Sequence, residues 1–350
     1  MNAIAALKST RRICFDRIIN PQREAEKIRT MNGLNALKMR QEPKRGAKLA
    51  EKLKCEKSSI HYLSILNGNT RGLVWTDDPT APRLAVVYSY LLGGFQIMGT
   101  PLQTAEEYAA FRLFFENKVF PLAKDEFELS EFAYSADTEE LSDMMRVVFF
   151  DKELFEQKQL VYRTAEEYSA AEMPFIHAAE GRPMRIRRAS ESFLRENAEF
   201  AGAYLPEILE SYKSFADFLK HGFAFFVLEG ENICGNIISN GEYNGCFIVG
   251  ADTKAEYRRR GIASALLRTA IESARERGNE IIWECAEETY LRCALPKAAE
   301  CIAAESFSSA GLNSNRTLRK INQIVSTACE IEFSKTYIGA VMMAALLIYF

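Results

Sequence analysis

The sequence predicts an α/β protein of the α+β type: a mixed sheet flanked by helices, preceded by a smaller α+β domain. Three short apolar runs between residues 223 and 253 are separated by turns that contain Gly and Asn, which is typical of strands joined as hairpins. A stretch with apolar residues at helical spacing follows at 262–277, and another apolar run follows at 280–286. This alternation favours a sheet with a helix packed against it.

Length and composition indicate a soluble globular protein with room for two domains. The chain has 350 residues, of which 48% are hydrophobic and 26% charged, and its net charge is −3. Residues 1–57 hold 15 Lys and Arg against 6 Asp and Glu, a local charge of +9, so the remainder carries −12. We interpret 1–57 as a basic helical or disordered extension. Binding to nucleic acid or a membrane surface is the alternative, but no aromatic residues interleave with these charges and we expect no nucleic-acid partner.

The spacing of the cysteines and histidines does not indicate a disulfide framework or a metal site. The eight cysteines show no C-x-x-C spacing, and the three histidines are scattered. We therefore expect reduced thiols, a cytoplasmic location and no metal. Residues 321–350 form an apolar tail that ends in a run of 14 apolar positions at 337–350. A membrane-spanning helix needs about 20 residues, so we expect no membrane span.

Residues 58–170 are predicted to form the N-terminal α+β domain. Thr104 with Glu107 three residues later has the pattern of a capping box, and predicts a helix that ends near Pro121. A second helix is predicted at 137–158. The predicted strands lie at 72–76, 84–92, 95–98 and 126–134. No catalytic constellation is evident within this domain.

Residues 182–320 are predicted to form the second domain. The predicted elements are a strand at 184–189, a helical stretch at 190–220, strands at 223–228, 233–239 and 246–253, a helix at 262–277 and a strand at 280–286. Gly278 stands just after the helix, where a glycine favours termination. The order is therefore β–αα–β–β–β–α–β.

The stretch between the third hairpin strand and the next helix is the candidate for a ligand-binding loop. It reads Arg258-x-x-Gly261-x-Ala263. Six consecutive backbone N–H groups near 258–263 can point into one concavity, and the positive end of the helix dipole faces the same place. Gly261 lets a ligand approach the backbone closely, and three successive arginines add positive charge. We predict a pyrophosphate socket; the alternative is a basic helix start that binds nothing.

This loop resembles the coenzyme A pyrophosphate loop of the GNAT superfamily of acyl-CoA-dependent N-acyltransferases, whose motif is Gln/Arg-x-x-Gly-x-Gly/Ala. The element order is also that of the GNAT core. Residues from about 60 to 286 resemble a two-domain bacterial GNAT acetyltransferase family, notably in G-F-A-F-F-V-L-E-G at 222–230 and G-G-F-Q-I-M-G at 93–99. The resemblance implies acetyl-CoA as acyl donor, bound by Thr253, Arg258, Arg259, Arg260, Gly261, Ile262, Ala263 and Ser264.

The resemblance also implies direct acyl transfer to a small-molecule or protein amine. The amine must lose a proton to a carboxylate or a relayed water before it attacks the thioester. Asp252, which could instead cap a helix, and Glu284 are the candidate bases. Tyr290 is the candidate general acid, with a packing role as the alternative. The strand before the loop is expected to splay from its neighbour, so that the pantetheine arm pairs with it like an added strand.

After Ala286 the sequence departs from the family pattern. Thr289 stands where the family has Asn, Pro296 would interrupt the expected helix, and no Gly-Phe or Gly-Tyr pair follows. Two functions therefore stay open. One is an active acetyl-CoA-dependent N-acetyltransferase, and the other is a catalytically impaired GNAT-fold protein that binds CoA or a partner without turnover.

Overall fold

The computed structural model describes residues 37, 39–41, 46–129, 132–164, 183–286 and 301–313. Most of the predicted basic extension, the segment at 287–300 and the C-terminal tail lie outside these residues, as does the stretch at 165–182. In the described ranges, no helix has the length and apolar character needed to cross a membrane.

A single twelve-stranded sheet runs through both predicted domains. Its strands are β1 (Arg40–Gln41), β2 (Gly72–Thr76), β3 (Leu84–Ser89), β4 (Phe95–Gly99), β5 (Phe132–Ala136), β6 (Glu153–Thr164), β7 (Met184–Arg188), β8 (Ala224–Glu229), β9 (Asn232–Tyr243), β10 (Cys246–Thr253), β11 (Glu280–Ala286) and β12 (Cys301–Asn313). Their spatial order is β1-β2-β3-β4-β5-β12-β6-β11-β10-β9-β8-β7. β4 pairs with β5, and β10 with β11, in parallel; the other neighbours are antiparallel.

Helices cover both faces of this sheet. They are α1 (Ala47–Leu53), α2 (Ile60–Asn67), α3 (Ala105–Phe114), α4 (Phe120–Asp125), α5 (Glu139–Val148), α6 (Glu191–Glu196), α7 (Leu205–Ser211), α8 (Phe215–His221) and α9 (Ile262–Arg275). A π-helical turn, Phe115–Val119, joins α3 to α4, and a second, Phe200–Tyr204, leads into α7.

The second half has two hydrophobic layers, one on each face of β8–β11. α9 buries Ile262, Leu266, Ala270 and Ala274 on one face, as its helical spacing predicts. On the opposite face, α6, α7 and α8 pack a cluster that includes Phe193, Phe200, Tyr204, Ile208, Phe226 and Ile238. The residues of β10 therefore alternate between a face covered by α9 and the opposite face, on which α2 packs against Ile248 and α7 lies over the neighbouring β9.

Helix α2 connects the two halves. Its Leu63 and Leu66 lie in one cluster with Val87 of β3, Ile248 of β10 and Ile282 of β11. Helix α1, within the predicted extension, contributes two buried residues, Ala50 and Leu53, to the same cluster. The domain limits at 57, 170 and 182 stay predictions, but the two predicted domains share one sheet and one hydrophobic cluster.

Most predicted elements of the second half are confirmed, whereas three predictions around α3 to β6 are wrong. The capping box at Thr104 and Glu107 is present. The helix does not end near Pro121, because a π-helical turn continues into α4. Pro121 lies in the first turn of α4, where the missing N–H of a proline is tolerated. The predicted helix 137–158 ends at Val148, and β6 follows. The predicted strand at 126–134 begins only at Phe132.

The predicted turn at 240–245 is also shorter than expected. β9 continues through Tyr243, and only Asn244 and Gly245 form the turn to β10. Both residues have positive φ, 51° and 79°, as a two-residue hairpin turn of this kind requires. The tight turn fixes the register of β10 on β9, and so the position at which β10 ends.

Candidate functional site

β10 and β11 form a fork. Residues 246–248 of β10 pair with residues 280–282 of β11, and the pairing stops there although both strands continue. The register of β10 on β9 shifts between Ile248 and Val249, and such a bulge bends a strand. Beyond Ile282, β11 stays paired with β6. The expected splay of the strand before the loop is thus confirmed.

The loop after β10 presents unused backbone donors. Arg259 and Gly261 have φ of 66° and 78°, so left-handed residues flank Arg260, an alternation that turns successive N–H groups toward one side. In the part of the chain that the structure describes, the N–H groups of residues 259–264 donate to no acceptor. These donors stand at the positive end of α9, an arrangement suited to binding an anion.

The side chains of the loop hold its shape. Arg258 Nε donates to the Thr253 carbonyl oxygen at 3.2 Å, which ties the loop to the end of β10. The Arg260 guanidinium lies 5.1 Å from the centre of the Tyr257 ring, and the Tyr257 hydroxyl donates to Glu229 Oε2 at 3.1 Å. Arg258 and Arg259 are exposed. The predicted binding residues from Thr253 to Ser264 therefore lie together in the loop and the first turn of α9, at the end of the fork, and their role in binding stays a prediction.

Gly235 of β9 lies directly beneath this end of β10, a role that sequence reasoning missed. A Cβ at this position would stand 2.8 Å from the Asp252 carbonyl oxygen and 2.8 Å from Ile262 Cγ2. The lack of a side chain thus lets β9, β10 and the start of α9 approach one another. A glycine inside a predicted strand was the available signal, since such glycines often mark close approach of backbone segments.

Asp252 lies on the face of β10 that is turned toward α7. Val249 and Ala251 pack with α9, so the alternation of the strand directs Asp252 to the other face, opposite Asn236 of β9. Its Oδ2 is buried, as is Thr253 Oγ1, and neither atom has a hydrogen-bond partner among the described residues. Burial raises the pKa of the Asp252 carboxyl, although the Thr253 N–H and the Arg258 charge partly oppose this.

Tyr204 and Glu207 face Asp252 from the helices above, and sequence reasoning missed both. Tyr204 is buried. Burial, followed by the charges of Glu199 and Asp252, raises the pKa of Tyr204, while the side chain of Asn236, the cross-strand partner of Asp252, lowers it. Glu207 stands one turn further along. Burial, followed by the charges of Glu210 and Asp252, raises the pKa of Glu207 to about 7. The available signal was a glutamate inside an otherwise apolar helical stripe.

Glu284 lies on the other arm of the fork. Ile281 and Trp283 pack with α9, whereas Ile282 packs with α2, so Glu284 shares the face that carries Asp252. Ser59, the N-cap residue of α2, donates to Glu284 Oε2 at 2.9 Å. Burial raises the pKa of Glu284 to about 7, against the lowering effects of Ser59 and Arg163. The third catalytic candidate, Tyr290, lies outside the described residues.

The first half repeats the same element order with a closed loop. β3 and β4 are antiparallel, α3 and α4 follow, and β5 is parallel to β4. In the loop between β4 and α3, Thr100 N–H donates to the Arg83 carbonyl oxygen, and the N–H groups of Gln103 and Thr104 donate to Glu107 Oε2. Pro101 has no N–H. In the first half, a carboxylate of the chain itself thus binds the loop N–H groups whose counterparts in the second half are unused.

The first-half strands also lack a fork. Asp137 N–H donates to the Ile97 carbonyl oxygen just past the last paired residues of β4 and β5. The buried Asp137 carboxylate accepts hydrogen bonds from Ser58 and Gln96, which fill the space between the strand ends. Within the described residues, the open fork and the unused loop N–H groups therefore occur together in the second half.

Comparisons with known proteins agree with this geometry. A GNAT acetyltransferase family model matches residues 51–295. A GCN5-related N-acetyltransferase-like protein from Streptococcus suis has 14% identity and a TM-score of 0.53, with 76% of this chain and 96% of that chain covered. A tandem GNAT protein from the clavulanic acid biosynthesis pathway has 7% identity and a TM-score of 0.50, with 78% and 98% covered.

These identities are low, so the structural likeness supports the fold alone. No curated protein matches the chain in sequence at a significant level. The family model covers more than half of the chain and spans the fork, the loop and α9. The chain belongs to the GNAT acetyltransferase family.

Proposed function

We propose that the protein is an acetyl-CoA-dependent N-acetyltransferase that transfers the acetyl group to an amine by direct attack. The observation that carries this proposal is the row of unused N–H groups at 259–264, at the end of an open fork. Family membership supports the same reaction type. The acceptor is a small-molecule or protein amine, and a cytoplasmic location is supported by the free thiols of Cys55, Cys234 and Cys246.

Each part of the site suits one part of the donor. The N–H groups of 259–264 and the charges of Arg258, Arg259 and Arg260 would bind the pyrophosphate. The side of β10 that leaves β11 after Ile248 offers backbone groups to the amides of the pantetheine arm, in the manner of strand addition. The fork then directs the thioester toward the face where Asp252 and Glu284 lie.

The transfer forms a C–N bond and breaks the thioester C–S bond. The ammonium group of the substrate first gives up a proton to become a nucleophilic amine. We propose that Asp252 takes this proton, with Glu284 as the second candidate. An ionised carboxylate whose pKa is raised is a better base than an ordinary one, and the pKa of both groups is raised. Attack leaves a second proton on the nitrogen, and its transfer to the leaving thiolate gives the amide and free CoA; Tyr290 stays a prediction for that transfer.

The test is acetyl-CoA binding by the full chain, measured by titration calorimetry. Gly261→Glu is expected to weaken binding by about 100-fold or more, because it strains a left-handed residue and places a carboxylate among the phosphate-binding donors. Gly278→Glu is the matched control, since Gly278 also has positive φ, lies at the other end of α9 and would have no atom within 4 Å of an added Cβ. Equal affinity in the wild type and the Gly261 variant would overturn the proposal.

The alternative is a GNAT-fold protein that binds CoA without turnover. It is favoured by Gly250, where the family often has Glu, and by the atypical sequence after Ala286. Release of free thiol from acetyl-CoA, followed over a panel of amines, separates the two functions. Turnover that is lost in Asp252→Asn supports the enzyme, whereas acetyl-CoA binding without thiol release for any amine supports the alternative.

A further inference from the structure

We propose that Glu207 makes this site selective for a diamine, an acceptor that keeps one positive charge while its other nitrogen attacks. The proposal rests on the proposed function, since it assigns the acceptor class of the same site. It goes beyond the loop and the fork, which concern the acyl donor.

The geometry of α7 places Glu207 above the end of β10. Tyr204, Ile208 and Ser211 are buried, so they mark the side of this helical segment that faces the sheet. Glu207 lies between them, at the spacing that belongs to the same side. Tyr204 and Ile208 pack in one cluster with Ile238 of β9, two residues from Asn236, which pairs across the strands with Asp252. Glu207, one turn beyond Tyr204, therefore lies on the side of the helix that faces this part of the sheet, close enough for the charge of Asp252 to act on it.

The two carboxylates have no directly paired cation in the described part of the chain, although the Arg258 charge acts on Asp252. Neither Glu207 nor Asp252 forms a salt bridge there, and Asp252 Oδ2 is buried without a hydrogen-bond partner. The charge of Asp252 contributes to the raised pKa of Glu207. Adjacent buried carboxylates repel each other, and a bound cation would relieve this repulsion.

The nearby basic side chains already have other partners. Lys254 Nζ lies 2.6 Å from Glu199 Oε1. Arg71 Nη1 donates to the Leu209 carbonyl oxygen at 2.6 Å, and the Arg71 guanidinium lies over the Tyr90 ring. Arg258 Nε donates to the Thr253 carbonyl oxygen, so its charge acts on Asp252 from beside the loop. The positive charge that would complete the pair is therefore expected from the acceptor.

Two carboxylates match the two nitrogens of a diamine. The attacking nitrogen must lose its proton, which passes to Asp252 in the proposed reaction, and it is then neutral. The second nitrogen remains an ammonium and can bind Glu207. A monoamine has no such group, and an amino acid would bring a third carboxylate into the site, which like-charge repulsion disfavours.

The experiment compares three acceptors with the same four-carbon chain: 1,4-diaminobutane, butylamine and 4-aminobutanoate. Thiol release is measured with the full chain at saturating acetyl-CoA. We expect kcat/KM for the diamine to exceed that for butylamine by about 30-fold, and 4-aminobutanoate to be the poorest acceptor. Glu207→Gln should lower the diamine value by about 10-fold through KM and change the butylamine value by less than about 3-fold. Glu276→Gln, an exposed residue just after α9, should change neither.

Equal kcat/KM for diamine and butylamine would overturn the proposal, as would an equal loss for both in Glu207→Gln. If no amine is acetylated, the failure concerns the proposed function, and binding decides this proposal instead. The full chain with CoA bound is then titrated with 1,4-diaminobutane and with butylamine. Tighter binding of the diamine by about 10-fold, lost in Glu207→Gln, supports the assignment; equal binding contradicts it. The thermal midpoint of Glu207→Gln verifies that the variant is folded.

Discussion

At the scale of single residues, the candidate site is marked by three carboxyls whose pKa is raised. Asp252, Glu207 and Glu284 come from β10, α7 and β11, and burial is the first cause of the shift in each. A buried carboxyl of this kind costs folding free energy whenever it is ionised. Perturbed carboxyls that share one face of the sheet around the fork are therefore candidates for a role in chemistry.

Glu284 offers a test of that cost. Its pKa is about 7 in the folded chain, against 4.5 for an ordinary glutamate, so the folded state holds its proton more tightly than the unfolded state does. The free energy of unfolding should therefore fall as the pH rises from about 4.5 to 7. Glu284→Gln keeps the protonated shape and should not show this loss. Between pH 5 and pH 8, the wild type should lose about 1 to 3 kcal/mol relative to the variant, measured by urea denaturation.

The matched variant for this test is Glu276→Gln, at an exposed position. Its stability relative to the wild type should be the same at both pH values. If the Glu284→Gln difference is likewise constant across the pH range, the Glu284 carboxyl titrates normally and its role as a candidate base loses support.

At the scale of elements, the two halves show what makes one strand–helix loop a binding site. Both loops join a sheet strand to a helix that leads to a parallel partner. In the first, Glu107 takes the N–H groups of Gln103 and Thr104; in the second, the N–H groups of 259–264 stay unused. The sequence predicts this difference. The first loop has a proline and a capping-box glutamate, whereas the second has arginines and Gly261.

Gly235 gives a prediction for the packing beneath the second loop. In Gly235→Ala, the new methyl group would press on the Asp252 carbonyl oxygen and on Ile262, so the end of β10 and the start of α9 must move apart. We expect a loss of about 1 to 3 kcal/mol in stability and about 10-fold weaker acetyl-CoA binding. Denaturant unfolding and titration calorimetry measure the two effects.

Gly46→Ala is the control for that substitution. Gly46 has an extended φ of 169°, and an added Cβ would meet no atom within 4 Å. Both stability and acetyl-CoA affinity should stay near their wild-type values. A Gly235 variant with unchanged acetyl-CoA affinity would show that binding tolerates movement of the strands beneath the loop.

Local signals predicted the loop, whereas the acidic residues around it depend on tertiary packing. Arg258 to Ala263 form a short contiguous motif, so the sequence alone could predict the position of the loop. Tyr204 and Asn236 are distant in the chain and meet only because α7 lies on β9. The mistaken extension of the predicted helix from 148 to 158 also depends on tertiary packing. β6 is a strand because it pairs with β11 and β12, rather than because of its own sequence pattern.

At the scale of the whole molecule, the sheet is continuous from β1 to β7, and α2 packs against strands of both halves. β6 of the first predicted domain lies beside β11 of the second, and Ser59 of the first donates to Glu284 of the second. The interface between the halves is therefore part of the candidate site. Loss of either half removes support from the fork.

This arrangement predicts that the two halves unfold together. The chain has two tryptophans, Trp75 in β2 and Trp283 in β11, so each half has one fluorescent reporter. In Trp75→Phe and in Trp283→Phe, the remaining tryptophan and the far-ultraviolet circular dichroism should give the same denaturation midpoint. Midpoints that separate in either variant would show that the halves unfold independently.

The fork has a consequence for how the protein avoids self-association. A free sheet edge tends to recruit strands from other molecules and can start aggregation. The side of β10 that leaves β11 after Ile248 is such an edge, but it lies between two strands of the same sheet and beneath α9. A strand of another folded chain would have to enter between β10 and β11 to pair with it, whereas a slender extended molecule needs less room. We therefore expect this edge to contribute little to self-association.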